Sequence, residues 1–300
     1  MGPRRIDAPG PSFGSWQKLK PHGFTPISLS ETLEGGQSFT WHKVEDLNWL
    51  GVIGGRLLEI RLKDTSFEWR SNSQIPITRQ EVKDYFWIDS SYEEAVNSLP
   101  WRSDPILKHC IESLSGLRIL RQPIDEILFY FLLSPVKSIP QIKETGQLVA
   151  QKYGKNLGAG FFGFPGWEIL SEVTEKDLRS LKLGYRAKSI VGTARFLKTR
   201  SDWLEEVVKH PYLIALEKLK ELPGVGSKIA ACTLLFGGRK LNAFPIDTWI
   251  EKVMSNRYGL NGWDQKQMST FASCHFGEFA GLAQQFFFSA ERLGFLNEFD

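Results

Sequence analysis

One ten-residue segment constrains this chain more than any other: residues 222–231, LPGVGSKIAA. A helical pattern ends at Leu222, the chain turns through Pro223-Gly224-Val225-Gly226, and a new helix begins near Ser227. Two glycines allow φ > 0 and a close approach of backbone N–H groups to a ligand. Ser227 suits the N-cap, Val225 can pin the hairpin into the core, and Gly237-Gly238 marks the far end. Free amides and the helix dipole at such a start attract phosphate. An ordinary turn between helices uses the same residue types, since Pro-Gly and Gly-x-Gly occur in many loops.

The rest of the chain can surround such a hairpin with a sizeable core. Its 300 residues are 42% hydrophobic and 24% charged, enough for one large domain or two closely packed ones. A formal charge of +3 permits an anionic partner without requiring one. The three cysteines, Cys110, Cys232 and Cys274, form no C-x-x-C pair. That argues against a disulfide framework or structural zinc, and for a reducing intracellular compartment. No apolar run reaches the ~18 residues of a membrane helix. Residues 1–13 are Pro/Gly-rich with Arg4 and Arg5; they lack the apolar core of a secretory signal and read as a loose, flexible arm.

Residues 14–122 read as β-rich. Residues 48–62 are two short runs about Gly54-Gly55, a hairpin signal. Leu58, Ile60 and Leu62 alternate with charged residues as in a half-buried strand, and Phe67 and Trp69 repeat the pattern. Pro76 and Thr78 lead into a helix from Gln80. Residues 123–300 read as helical. Helices are expected over 124–133, stopped by Pro135, and over 139–153, ended by Gly154. Thr174 and Asp177 resemble a capping box whose helix Gly184 closes. Residues 185–197 follow, then 202–209 capped by Ser201, then a helix through Leu222 with Pro211 in its first turn.

Lys228 sharpens the reading. A cation in the first turn of a helix costs ~0.3–1 kcal/mol, whereas a nucleophilic lysine must be neutral. The plain alternative is a surface lysine contacting phosphate. Asp247 lies nineteen positions later, after Phe244-Pro245-Ile246 and before a helical stretch. The apolar flank suggests a partly buried carboxylate; it also suits an N-cap, and both roles can coexist.

This is a helix-hairpin-helix, which holds a DNA backbone without reading sequence. Ligases, polymerases and nucleases carry it too. With Lys228 and Asp247 it resembles the helix-hairpin-helix glycosylase superfamily, and within it the 8-oxoguanine DNA glycosylase/lyase family. The resemblance runs from about Trp16 to Leu293. It includes Gly35-Gly36-Gln37-Ser38-Phe39-Thr40-Trp41, Leu183-Gly184-Tyr185-Arg186-Ala187, and Phe279-Ala280-Gly281-Leu282-Ala283-Gln284 running into Phe288-Ser289-Ala290. It implies an α+β fold: a helical core with an N-terminal antiparallel sheet domain of TATA-binding-protein-like topology, and a cleft between the helical parts. It implies excision of 8-oxoguanine from double-stranded DNA by base flipping, then strand cleavage at the abasic site, without metal or organic cofactor. A monomer is the default.

By this resemblance Lys228 attacks the sugar C1′ and forms a Schiff base, while Asp247 stabilises the cationic sugar. Tyr185 wedges into the duplex and Arg186 faces the base left behind. Gly224, Val225, Gly226 and Ser227 hold the backbone, and Trp249 contacts a phosphate. Guanine N7 is an acceptor, but 8-oxoguanine carries N7–H, so a carbonyl at Gly36 accepts from the lesion and repels the normal base. Gln284 and Phe288 share a helix face; Gln284 bonds the Watson–Crick edge and Phe288 stacks on the ring. Cys232, four after Lys228, covers the other side. Read without the resemblance, Phe288 and Cys232 are ordinary core residues and Gly36 simply starts a strand.

The sequence departs from the family opposite the lesion. Pro135-Val136-Lys137-Ser138 replaces an asparagine-rich turn, and Gln141 replaces an arginine that reads the orphaned cytosine. Val136 has no side-chain hydrogen bond to offer, and Gln141 lacks the guanidinium fork. A weakened preference for cytosine is expected. Trp249 stands where histidine is common, and Glu291 replaces an aspartate. The iron–sulfur branch is disfavoured because its C-terminal four-cysteine motif is absent, and alkylpurine glycosylases typically lack the hairpin lysine. A non-catalytic DNA clamp needs Gly224 and Gly226 but not the Lys228–Asp247 pair.

Overall fold

The turn at Gly54-Gly55 organises the first part of the chain. Both glycines have positive φ, +53° and +71°, as a two-residue turn between right-twisted strands requires. The computed structural model describes residues 12–63 and 66–297. Its strands β1 (Gln17–Leu19), β2 (His42–Glu45), β3 (Asn48–Ile53), β4 (Arg56–Lys63) and β5 (Ser66–Ser71) form one antiparallel sheet in the order β1-β5-β4-β3-β2. Trp49 pairs with Ile60, and Ile60 with Trp69. This apolar face packs with Leu29 and Leu33 of α1 (Pro26–Glu34).

The opposite face was expected to meet water, yet Glu59 and Glu68 are buried there. Each faces an arginine across the ladder: Arg70 is 2.6 Å from Glu59, and Arg61 is 2.6 Å from Glu68. Trp16 covers both arginines, with its ring centroid 3.9 Å from Arg61 and 4.5 Å from Arg70. Opposite charges in cross-strand register stabilise the ladder while aromatic faces receive the cations. Residues 1–11 of the expected arm lie outside the described residues. Ser12 and Phe13 already join the sheet: Ser12 accepts from the Ser73 amide, and Phe13 bridges Asn72.

Helices α2 (Arg79–Tyr85), α3 (Ser90–Ser98) and α4 (Pro105–Ser113) complete the part expected to be β-rich. Thr78 and Glu81 cap α2 reciprocally, and the helix starts at Arg79, one residue before the expected Gln80. Tyr92, Ala95, Leu107 and Cys110 pack in one core with the later helices and not under the sheet. Asp104 caps α4 and accepts from the Tyr258 hydroxyl at 2.7 Å, with His275 at 3.0 Å. The two cores interleave along the chain: Phe39 and Trp87 pack with the helices, whereas Leu120 packs under the sheet.

The remaining elements are α5 (Ile124–Leu133), α6 (Ile139–Tyr153), the small hairpin β6 (Asn156–Gly158) and β7 (Phe161–Phe162), α7 (Gly166–Glu172), α8 (Glu175–Leu178), α9 (Arg186–Lys198), α10 (Trp203–Lys209), α11 (Tyr212–Leu219), α12 (Ser227–Phe236), α13 (Thr248–Tyr258), α14 (Gln265–Phe276) and α15 (Ala280–Leu293). Helix α5 is buried over Glu126–Leu133 and packs on α6, α7, α9 and α12. Three expectations need adjustment. The helix opened by Thr174 runs into a π turn at Arg179–Leu183, where Lys182 has φ +66°. Asp202, not Ser201, occupies the N-cap of α10, and the Ser201 hydroxyl donates to its carboxylate. Helix α11 stops at Leu219 with Pro211 at its N-cap, so Leu222 belongs to the hairpin turn. No helix among the described residues is long and apolar enough to cross a membrane.

Candidate active site

The two hairpin glycines do different work. Gly224 has φ +80°, and a Cβ there would lie 2.2 Å from Ser189 Oγ. Gly226 has φ −94° and is itself the N-cap of α12, so Ser227, expected as the cap, is the first helical residue. A Cβ on Gly226 would meet nothing within 4 Å. Its backbone conformation does not require glycine; what glycine leaves is open space before the helix amides. Val225 is buried, as its apolar side chain in the turn suggests.

Lys228 follows in the first turn of α12, half-buried, with Nζ 5.5 Å from the Phe131 ring centroid. Cys232 lies one turn later on the same face and is buried. Burial pushes its thiol up to about 11, against the pull of Lys228 and with a further push from Asp247. It is a neutral, soft surface at neutral pH.

Asp247 is the N-cap of α13, and its Oδ1 accepts from the Trp249 and Ile250 amides at 3.0 Å each. The buried Phe244 and Ile246 anchor the approach to it. Gln284 of α15 steadies the same loop: its Nε2 donates to the Pro245 carbonyl at 3.2 Å. Its Oε1 is sealed from solvent and has no partner among the described residues.

These side chains share one cleft of ≈1450 Å³, lined among others by Gly36, Val136, Gly226, Ser227, Lys228, Cys232, Asp247, Trp249, Gln284 and Phe288. Gly36 has φ +97°, and a Cβ there would lie 2.9 Å from Ile139 Cδ1 and 3.9 Å from Phe288 Cζ. That close approach and the left-handed conformation both require glycine.

On the rim, Val136 is 93% exposed with φ +56°. A β-branched residue in that region is strained, and such strain clusters at functional sites. Tyr185 is exposed, with the Arg186 guanidinium 4.5 Å from its ring centroid. Arg186, expected to face the base left behind, is only 8% exposed. It donates to the carbonyls of Pro135 and Leu183, tying the two rim loops together. Gln141 does not line the cleft. Its Oε1 accepts from the Ser138 amide at 2.9 Å and closes the capping box of α6.

The cleft also holds Glu34, His42 and Lys143, which the sequence pattern did not single out. Lys143 Nζ donates to the Trp41 carbonyl at 2.9 Å and lies 3.7 Å from Glu34 Oε1. Burial lowers both its amine and the His42 imidazole, opposed in each by Glu34. The available signal was the spacing of Ile139, Ile142 and Lys143 along one face of α6. Among the described residues, no group of three His, Cys, Asp or Glu side chains is placed to hold a metal ion.

An antiparallel sheet domain on a helical core, with a hairpin lysine and a helix-capping aspartate in one cleft, is the arrangement of the helix-hairpin-helix DNA glycosylases. A family model for the N-terminal domain of 8-oxoguanine DNA glycosylase matches residues 23–128. The chain is 30% identical to N-glycosylase/DNA lyase OGG1 of Arabidopsis thaliana, covering 89% of this chain and 78% of that protein. It is 32% identical to a probable N-glycosylase/DNA lyase of Methanothermobacter thermautotrophicus, covering 90% and 96%. The structure of Clostridium acetobutylicum 8-oxoguanine glycosylase/lyase, in complex with double-stranded DNA containing cytosine opposite 8-oxoguanine, superposes with a TM-score of 0.82. That pair is 30% identical and covers 94% of this chain and 99% of the other. The chain belongs to the 8-oxoguanine DNA glycosylase family.

Proposed function

We propose that this chain excises 8-oxoguanine from duplex DNA and cleaves the strand at the resulting abasic site, in whichever intracellular compartment holds that DNA. The observation that carries the reading is the convergence of Lys228, Asp247, Cys232, Gln284 and Phe288 on one cleft beside the hairpin. Relatives named N-glycosylase/DNA lyase support it. A purine in the duplex is out of reach of these groups, so the target nucleotide must be flipped, at a cost of a few kcal/mol. Val136 lines the cleft, Tyr185 precedes Arg186, which bonds the neighbouring Pro135 carbonyl, and both exposed side chains would fill the vacated stack.

Lys228 and Asp247 carry the step that breaks the glycosidic bond. Lys228 Nζ attacks C1′ and the glycosidic bond breaks, its electron pair leaving with the purine. Asp247, held by two helix amides, offers negative charge where the sugar becomes cationic. Loss of the ring C–O bond gives the Schiff base. Water in the open cleft takes a C2′ proton, the electron pair of that C–H bond expels the 3′ phosphate, and the strand breaks. Phe288 and Cys232 supply the faces between which the base stacks. The Oε1 of Gln284, unpartnered among the described residues, turns toward the guanine Watson–Crick edge and accepts from its N–H groups, and the Gly36 carbonyl accepts the lesion's N7–H.

Opposite the lesion the chain offers little to cytosine. Val136 has no side-chain donor, the Gln141 carbonyl is held in its own helix cap, and Arg186 is buried with two of its N–H groups on the Pro135 and Leu183 carbonyls. Opposite-base preference is therefore relaxed. Duplexes with 8-oxoguanine opposite C, A, G and T test both statements at once. Nicking at the lesion in all four, at similar rates, is expected. No lesion-dependent nicking refutes the activity; strong preference for C refutes the relaxed pairing.

A further inference from the structure

We infer that Lys143 is a positioning residue for lesion recognition, holding the Gly36 segment of the sheet domain in register with α6. Residues 35–41 connect α1 to β2 and carry Gly36 at the cleft wall. Lys143 spans this segment, reaching Glu34 near one end at 3.7 Å and the Trp41 carbonyl at the other at 2.9 Å. The lysine side chain is only 14% exposed. One turn earlier on the same helix, Ile139 approaches the α-carbon of Gly36 so closely that an added Cβ would lie 2.9 Å away.

The segment is anchored on its other side by its own domain. Gln37 donates to the Arg118 carbonyl at 2.7 Å and accepts from the Leu120 amide at 2.8 Å, while its carbonyl accepts from Gln122 at 2.8 Å. Gln37 thus fixes the segment to the sheet domain, and Lys143 fixes it to the helix that begins at the opposite-strand loop. The Gly36 carbonyl can discriminate N7–H from a bare N7 only at hydrogen-bond distance. The offset between these two anchors sets that distance. A merely structural ion pair could be replaced by apolar side chains at little cost; a positioning amine could not without loss of recognition.

This inference rests on the reading of Gly36 as the group that senses N7–H, and the test separates the two. K143M and K143R are compared with the unmodified protein in single-turnover excision of 8-oxoguanine and in β-elimination at a preformed abasic site, where no base is read. K143M should lose about 10- to 100-fold in excision, with the lyase step unchanged, and K143R should recover part of the loss. Should K143M fail to fold, K143Q, whose donor falls short of Trp41, carries the same expectation. Equal loss in both steps, or loss in neither, overturns the role of Lys143. If the K228Q protein with Lys143 intact binds guanine and 8-oxoguanine duplexes equally, the Gly36 reading fails instead.

Discussion

Asp247 carries two separable roles, and one pair of variants distinguishes them. Its Oδ1 accepts two amide hydrogen bonds at 3.0 Å at the start of α13, so Asp247→Ala removes a helix cap, at ~1 kcal/mol. It also removes a negative charge from the positive helix end, a further ~0.3–1 kcal/mol. Asp247→Asn keeps an equivalent capping acceptor and loses only the second contribution. The chemical step depends on the charge, not on the cap. Losing the group that stabilises developing charge typically costs roughly 10²–10³ in rate. Both variants should therefore excise 8-oxoguanine about 10²–10³ more slowly in single turnover. In urea unfolding, Asp247→Ala should be the less stable by ~1 kcal/mol. Asp247→Asn excising at the wild-type rate would refute the charge argument. Equal stability of the two variants would refute the cap.

Two further outcomes follow from the geometry. Gly224→Ala forces a left-handed residue against Ser189 and should destabilise the hairpin, whereas Gly226→Ala meets open space and should leave unfolding unchanged. Both should weaken binding to non-specific duplex, and tight binding by Gly226→Ala would show that backbone approach there is unimportant. Burial raises the Glu126 carboxyl to about 8, with Asp125 adding to the shift. A raised folded value means that the folded state holds the proton more tightly. Stability relative to Glu126→Gln is then greatest below the ordinary carboxylate range and falls as pH rises toward about 8, by up to about 1.4 kcal/mol per pH unit. A pH-independent difference between the two proteins in chemical denaturation would contradict this.

The sequence showed the hairpin, the Gly54-Gly55 turn and the long helices directly, because each rests on local chemistry. Gly-rich turns, capping residues and helical period are readable within a few positions. Contacts between distant segments were not. Lys143 meets Trp41 across 102 positions, and no local pattern marks that amine as the partner of a carbonyl in the sheet domain. The second face of the sheet failed for the same reason: alternating charge signals water, but here Trp16 and paired arginines cover it. Helices α3 and α4 are assigned by what they touch and not by their own pattern. Gln141 is the instructive exception. Ser138-x-x-Gln141 is a capping-box signal, and the structure follows that local rule over the position's correspondence to a base-reading arginine. Gly226 shows the converse, since a glycine invites a positive φ that the chain does not adopt there.

The central claim is that Lys228 forms a covalent Schiff base with the sugar of the damaged nucleotide. It is tested most directly by borohydride reduction of the protein incubated with a labelled duplex holding a single 8-oxoguanine, with Lys228→Gln alongside. A trapped protein–DNA adduct that forms only with the lesion and is lost in Lys228→Gln is the predicted result. Duplex binding with neither adduct nor excision would contradict the account and leave the hairpin as a backbone clamp.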